Sequence, residues 1–216
     1  HFAAIVPISK VNKKYKHALD VNYIGTRNLI KMIIKHKLNL KWFFYSSTSH
    51  VYSYSTKKIK ENYQLKPITK YGKTKLMAEN LITKKLNNTK IKFCIGRIFS
   101  IIDNKNKEFF LKGLINKIQN NNKIVKLDNL NHYRDFISTD QISKAILLLW
   151  SKKHQGIINI ANGKKTNLKT IAQVFAKKCK KKIFFNKNKQ TSMIANINKL
   201  KKYGWKNNNL NFIKYF

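Results

Sequence analysis

An α/β fold built around a parallel sheet is what this 216-residue sequence predicts. Three observations carry that prediction. Segments of helical periodicity alternate with short apolar runs along the chain, the order that βαβ units impose. The apolar run from Leu40 to Ser46 is consistent with a strand covered on both faces, as in a parallel sheet. No internal repeat and no Pro- or Gly-rich linker divides a chain that holds 2 Pro and 7 Gly.

The elements follow in order. Val21 to Lys37 predicts a helix, because Ile24, Leu29, Ile30, Ile33 and Ile34 recur at helical spacing. Leu40 to Ser46, with Trp42, Phe43, Phe44 and Tyr45, predicts a buried parallel strand. Tyr71 to Leu86 predicts a helix after Pro67, with Leu76, Met77, Leu81 and Leu86 available for an apolar face. Ile91 to Phe99 is the next strand, Glu108 to Asn120 a helix and Ile124 to Leu127 a short strand. Ser138-Thr139-Asp140-Gln141 has capping-box spacing and opens a helix to about Trp150. A strand at Ile157 to Ile160, a helix at Thr166 to Cys179 and a strand at Ile183 to Phe185 follow. The last helix, Asn198 to Tyr203, is stopped by Gly204.

Two stretches about twenty residues apart carry the chemistry. Ser46-Ser47-Thr48-Ser49-His50-Val51-Tyr52 places hydroxyls at the end of a buried strand. Tyr71-Gly72-Lys73-Thr74-Lys75 places a phenol and an ammonium four apart, on one face of a helix. A cation beside a phenol favours the phenolate and lowers its pKa towards the range of a general base. A nearby hydroxyl can hold the oxygen being deprotonated. A second Tyr-x-x-x-Lys, Tyr54 to Lys58, lies in a segment of turn composition without apolar periodicity.

Composition bounds the function classes. The chain carries 46 Lys+Arg against 8 Asp+Glu, a formal net charge of +38. Such charge points to polyanions when it is clustered. Here it is spread along the whole chain, with no Arg-rich tail and no basic stripe interleaved with aromatics, so no specific nucleic acid is expected. Only Arg27, Arg97 and Arg134 are arginines. In a chain that defaults to Lys, a retained Arg points to a bidentate task. Two distant cysteines, Cys94 and Cys179, imply neither a disulfide framework nor a zinc site, and His50 and His132 lack companions at ligand spacing, so no metal is expected. No apolar run reaches membrane-spanning length and no signal peptide is readable, so a cytoplasmic enzyme without a membrane partner is expected.

The two chemical stretches resemble those of the extended short-chain dehydrogenase/reductases, the NAD(P)-dependent nucleotide-sugar epimerases, dehydratases and reductases. Further segments agree in order: His1-Phe2-Ala3-Ala4, Asn22-Tyr23-Ile24-Gly25-Thr26, Arg97-Ile98-Phe99-Ser100, Tyr133-Arg134-Asp135-Phe136 with Asp140, and Asn159-Ile160-Ala161-Asn162-Gly163. The resemblance covers nearly the whole chain. It implies a Rossmann-like doubly wound parallel sheet, with residues 1–100 as the C-terminal part of the NAD(P)-binding domain. Residues 101–216 would form mainly a small substrate-binding lobe, with segments returning to the sheet. It implies Thr48, Tyr71 and Lys75 as the catalytic set. Ala3, Ala4, Ser46, Tyr71 and Lys75 would bind NAD or NADP, and Thr48, Ser100 and Arg134 a nucleotide-diphosphate sugar. Arg134 stands at the family's diphosphate position, and its competing role is a surface pair with Asp135. Ser100 replaces an Asn that the family often uses on the sugar. A homodimer through the Val21 and Tyr71 helices is implied as well.

Two departures matter. No Gly-x-x-Gly-x-x-Gly occurs, although the family carries that loop after its first strand to hold the pyrophosphate. The opening βαβ part of the fold, roughly two βα units of about 30 residues each, is therefore expected to be missing, as in a truncated reading frame. Such a sheet would expose an edge and be prone to aggregate. Second, the family's 4,6-dehydratases place acidic residues directly after the Ser/Thr, where this chain has Ser49 and His50. That disfavours dehydration and leaves 4-epimerase or 4-keto reductase. A noncatalytic relative serving as a binding protein, and a basic nucleic-acid-binding protein, are the competing readings.

Overall fold

The structure, a computed structural model, describes residues 1–103, 110–120, 124–128, 130–186, 189–206 and 209–215. His1 lies beside the first strand as a parallel neighbour. Its backbone nitrogen donates to Phe44 O at 2.7 Å and its carbonyl accepts from Ser46 N at 3.2 Å. Two short helices follow, α1 (Ile8–Lys13) and α2 (Tyr15–Leu19), then a π-helical turn (Asp20–Gly25) that runs into α3 (Thr26–Lys35). The helix expected from Val21 to Lys37 thus starts earlier and ends where Lys37 turns left-handed, with φ 49°.

The chain continues through β1 (Trp42–Thr48), α4 (Lys70–Leu86), β2 (Lys92–Ile98), β3 (Ser100–Ile102) and α5 (Phe110–Asn120). Then come β4 (Ile124–Leu127), β5 (His132–Arg134), β6 (Phe136–Ser138), α6 (Thr139–Ser151) and β7 (Gly156–Ile160). It closes with β8 (Thr166–Asn167), α7 (Leu168–Lys178), β9 (Lys182–Phe185), β10 (Thr191–Met193) and α8 (Asn198–Lys201). The expected start of α5 at Glu108 lies outside the described residues.

The central sheet has the order β1-β2-β7, all parallel, with Trp42 opposite Lys92 and Ile98 opposite Ile160. Successive side chains of a strand alternate between faces. Phe43, Tyr45, Phe93 and Ile95 therefore pack with Ile30 and Ile33 of α3 and Ala78 and Ile82 of α4. Phe44, Cys94, Ile98, Ile158 and Ile160 pack on the other face with Ile142, Ala145 and Leu149 of α6. Coverage on both faces is why apolar side chains stand on both sides of these strands. A third apolar cluster joins α5, β4 and α7 through Leu111, Ile115, Val125, Ile171 and Phe175. The remaining strands form the small pairings β3-β6, β4-β9 and β10-β5-β8. The capping box forms as expected: Gln141 N donates to Ser138 Oγ at 3.2 Å and Ser138 N to Gln141 Oε1 at 3.0 Å. Gly204 takes φ +94° just beyond α8, a conformation costly for any side chain.

His154 closes the turn between α6 and β7 and is 3% exposed. Its Nδ1 meets the Tyr203 hydroxyl at 2.6 Å, and its Nε2 has no partner among the described residues. Burial, helped by the Lys199 charge, pulls this imidazole down to about 4. A folded-state pKa below the unfolded value of about 6.5 means the stabilisation is complete above pH 6.5 and lost as pH falls towards 4. The expected loss is about 2 kcal/mol, allowing for solvent screening. Urea unfolding at pH 7 and pH 4.5, in the native chain and in His154→Asn, checks this: the variant should lose less stability on acidification.

Candidate active site

The site forms where the end of β1 meets the start of α4. Thr69 caps α4 by accepting from Gly72 N at 2.9 Å. Gly72 packs so closely on the turn after β1 that a Cβ there would lie 2.2 Å from His50 O. This approach sets Tyr71 beside His50, with ring centroids 6.2 Å apart, edge to face. Thr48 Oγ1 accepts from His50 N at 3.3 Å and so shapes the same turn. One helical turn along α4, Lys75 is 2% exposed, with Nζ 4.2 Å from the centre of the Tyr45 ring. Tyr45 lies three residues before Thr48 on β1. Thr48, Tyr71 and Lys75 are thus gathered at one corner of the sheet.

The electrostatics differ from the expectation raised by the Tyr71–Lys75 spacing. Burial pushes the Tyr71 phenol well above its ordinary range. Burial also draws Lys75 down to about 7, partly offset by the carboxylate of Glu79. The Lys75 ammonium rests on an aromatic face and donates no hydrogen bond to the described residues. Its three donors suit a pair of ribose hydroxyls. His50 is lowered to about 4 by burial and by the Arg134 charge, so it stays neutral near pH 7.

The other candidate residues sit around this corner. Ala3, exposed, and Ala4, half-buried, leave the edge of β1 just after His1, and Ser46 lies half-buried on β1. Asn22 fixes the segment after Ala3-Ala4 to α4. Its side chain accepts from Ile5 N at 2.7 Å and donates to Ile5 O and to Thr74 Oγ1, each at 3.1 Å. Ser100 N donates to Asp135 O at 2.9 Å, which places Ser100 beside β6. Arg134 does not pair with Asp135. Asp135 turns inward and accepts from Asn162 N, Gly163 N and Ala195 N at 2.9–3.1 Å. Arg134 Nη1 donates to Tyr133 O and Thr191 Oγ1, and its guanidinium lies 5.3 Å from the Tyr54 ring centre. Its Nε–Nη2 edge donates to none of the described residues.

Nearly all of the chain, residues 1–208, matches the GDP-mannose 4,6 dehydratase family. The chain belongs to that family. A GDP-6-deoxy-D-talose 4-dehydrogenase of Aggregatibacter actinomycetemcomitans is 29% identical over 66% of this chain and 49% of its own length. A protein of Methanocaldococcus jannaschii, provisionally named UDP-glucose 4-epimerase, is 27% identical over 72% of this chain and 52% of its own. The chain therefore spans about half the length of the curated relatives it matches. Among solved structures, RMD from Pseudomonas aeruginosa complexed with NADPH superposes with TM-score 0.86 at 18% identity, over 99% of this chain and 76% of that one. The UDP-glucuronic acid 4-epimerase of Bacillus cereus, in complex with UDP-glucuronic acid and NAD, gives 0.82 at 23% identity over 93% and 67%. These structures show the Rossmann-type fold.

Sequence reasoning missed a polar cluster beneath this family site. Arg97 of β2 donates Nη2 to Glu79 Oε2 at 2.7 Å and Nε to both Glu79 oxygens at 3.1 Å. Arg97 Nη1 reaches the Tyr52 hydroxyl and Glu61 O, each at 2.9 Å. Ser47 donates to Glu79, and Tyr52 to Asn159 Oδ1 at 2.8 Å. The only sequence signal was Arg97 among three arginines. Gly72 was likewise overlooked. Gly72→Ala is expected to cost about 1–3 kcal/mol, because the added methyl meets rigid backbone. Chemical denaturation of the variant checks this, and native stability would mean the two segments move apart easily.

Proposed function

We propose that this chain is the body of an NAD(P)-dependent nucleotide-sugar epimerase or 4-keto reductase. The observation that carries this reading is the convergence of Thr48, Tyr71 and Lys75 at the end of β1. Residues 1–100 would carry the cofactor side and residues 101–216 mainly the substrate side.

The nicotinamide cofactor, when bound, would supply the two-electron acceptor or donor. Tyr71 Oη would take the proton from a sugar hydroxyl as its carbon is oxidised, or return it to a ketone oxygen. Thr48 Oγ1 would hold that oxygen by a hydrogen bond. Lys75 would bind the nicotinamide ribose and, while charged, favour the phenolate. The elevated phenol of the free chain suits proton donation. Ala3, Ala4 and Ser46 would line the cofactor. Arg134 would clamp the diphosphate, with Ser100 near the sugar. Ser49 and His50 follow Thr48 without a carboxylate, which favours epimerase or reductase over dehydratase despite the family's description. Apolar and basic residues of α3 and α4, among them Ile30, Ile34, Leu81 and Lys85, line a groove that would receive a second copy.

The test uses the complete reading frame with a panel of UDP- and GDP-sugars, with and without NAD(H) or NADP(H). Interconversion of 4-epimers, or cofactor-dependent reduction of a 4-keto sugar, is the expected result. Salt-resistant nucleic-acid binding without turnover would replace this reading with the polyanion one.

A further inference from the structure

We propose that the buried Glu79–Arg97 pair is a positioning device for this centre, setting Lys75 as a cation and locking Thr48 and Lys75 into one frame. The inference rests on the reading of Tyr71 and Lys75 as the redox centre.

The geometry is specific. Glu79 follows Lys75 by four residues on α4, so both side chains project to the same face. Both are 2% exposed. Ser47, the neighbour of Thr48 on β1, donates to Glu79. Arg97 of β2 holds the same carboxylate through Nε and Nη2, 2.7–3.1 Å from its oxygens. One carboxylate thus ties β1, β2 and α4 together, one residue from Thr48 and one turn from Lys75. Arg97 has further bonds to Tyr52 and to Glu61 O that anchor it from the opposite side.

The charged and titratable groups facing Lys75 can be named. From β1 it meets the Tyr45 ring. On its own helix the Glu79 carboxylate lies one turn ahead and draws the ammonium upwards, with Tyr71 one turn back. Tyr45 is pushed upwards by burial and stays neutral. Glu79 is therefore the one anion in this set. With Lys75 drawn to about 7, the state of this ammonium near neutral pH depends on that carboxylate.

The test reads Lys75 directly. Titration of the lysine side-chain carbons by NMR, with Lys75 assigned from its loss in Lys75→Arg, should show its pKa falling by about one unit in Glu79→Gln. Because Glu79→Gln strands a buried guanidinium, the paired variant Glu79→Gln/Arg97→Met is measured alongside. It removes both charges and should still lower Lys75. Glu79→Asp keeps the anion and should restore most of the native value. A native Lys75 titration in either folded Gln variant overturns the proposal and leaves the pair a purely structural bond. The readout needs no substrate or cofactor, so it stands apart from the turnover tests of the redox centre.

Discussion

Replacing Tyr71 with Phe is expected to lower turnover by about a hundred- to ten-thousand-fold, the usual worth of a positioned acid or base. The substitution is clean. The Tyr71 hydroxyl bonds to none of the described residues, so its removal strands no partner, and the ring keeps its edge contact with His50. Stability should stay within about 0.5 kcal/mol of the native chain. Steady-state kcat with the preferred sugar nucleotide, beside a cofactor Kd from fluorescence, separates the cases in the complete protein. Lost turnover with retained cofactor binding supports Tyr71 as the proton-transfer group. Undiminished turnover would falsify the assignment and make the Tyr71–Lys75 spacing incidental.

Long-range consequences of the sequence were legible in proportion to the strength of the local signal. Trp42 to Tyr45 and Phe93 to Ile95 are continuous apolar runs because helices cover both faces of the sheet, so the parallel strands could be placed. The Ser138–Gln141 box is self-contained in four residues and formed as written. Pairings of two or three residues, such as β3 with β6 or β5 with β8, are too short to show a period. The short helix α1 escaped for the same reason. The segment from Asp20 to Gly25 departs from α geometry, which spacing alone does not reveal.

At the site the difference is sharper. Thr48, Tyr71 and Lys75 were found as residue types at a spacing, and the fold gathers them at one corner. Their electrostatics were not legible, because desolvation depends on what surrounds a group in space. A Tyr–Lys pair on one helical face predicted a lowered phenol. Instead, burial raises Tyr71 and Lys75 turns its ammonium to the Tyr45 ring. Arg134 and Asp135, adjacent in sequence, point to different partners because strand neighbours face opposite sides.

Arg97→Met is expected to be the most destabilising single change discussed, costing about 3–5 kcal/mol. The reason lies in what it leaves behind. Glu79, 2% exposed, would lose its cationic partner and keep only Ser47 as a donor, and Tyr52 and Glu61 O would each lose a donor. A buried charge stripped of its partner loses several kcal/mol, whereas replacing both partners by neutral groups is often tolerated. Arg97→Met/Glu79→Gln should therefore be more stable than Arg97→Met alone, and a double-mutant cycle in urea measures the difference. If the double variant is no more stable than Arg97→Met, the guanidinium acts mainly through Tyr52 and the Glu61 carbonyl. That outcome would move the structural centre of the site from α4 to the segment between β1 and α4. The Lys75 titration in the same two variants then tells whether the carboxylate, freed of its partner, still holds the ammonium charged.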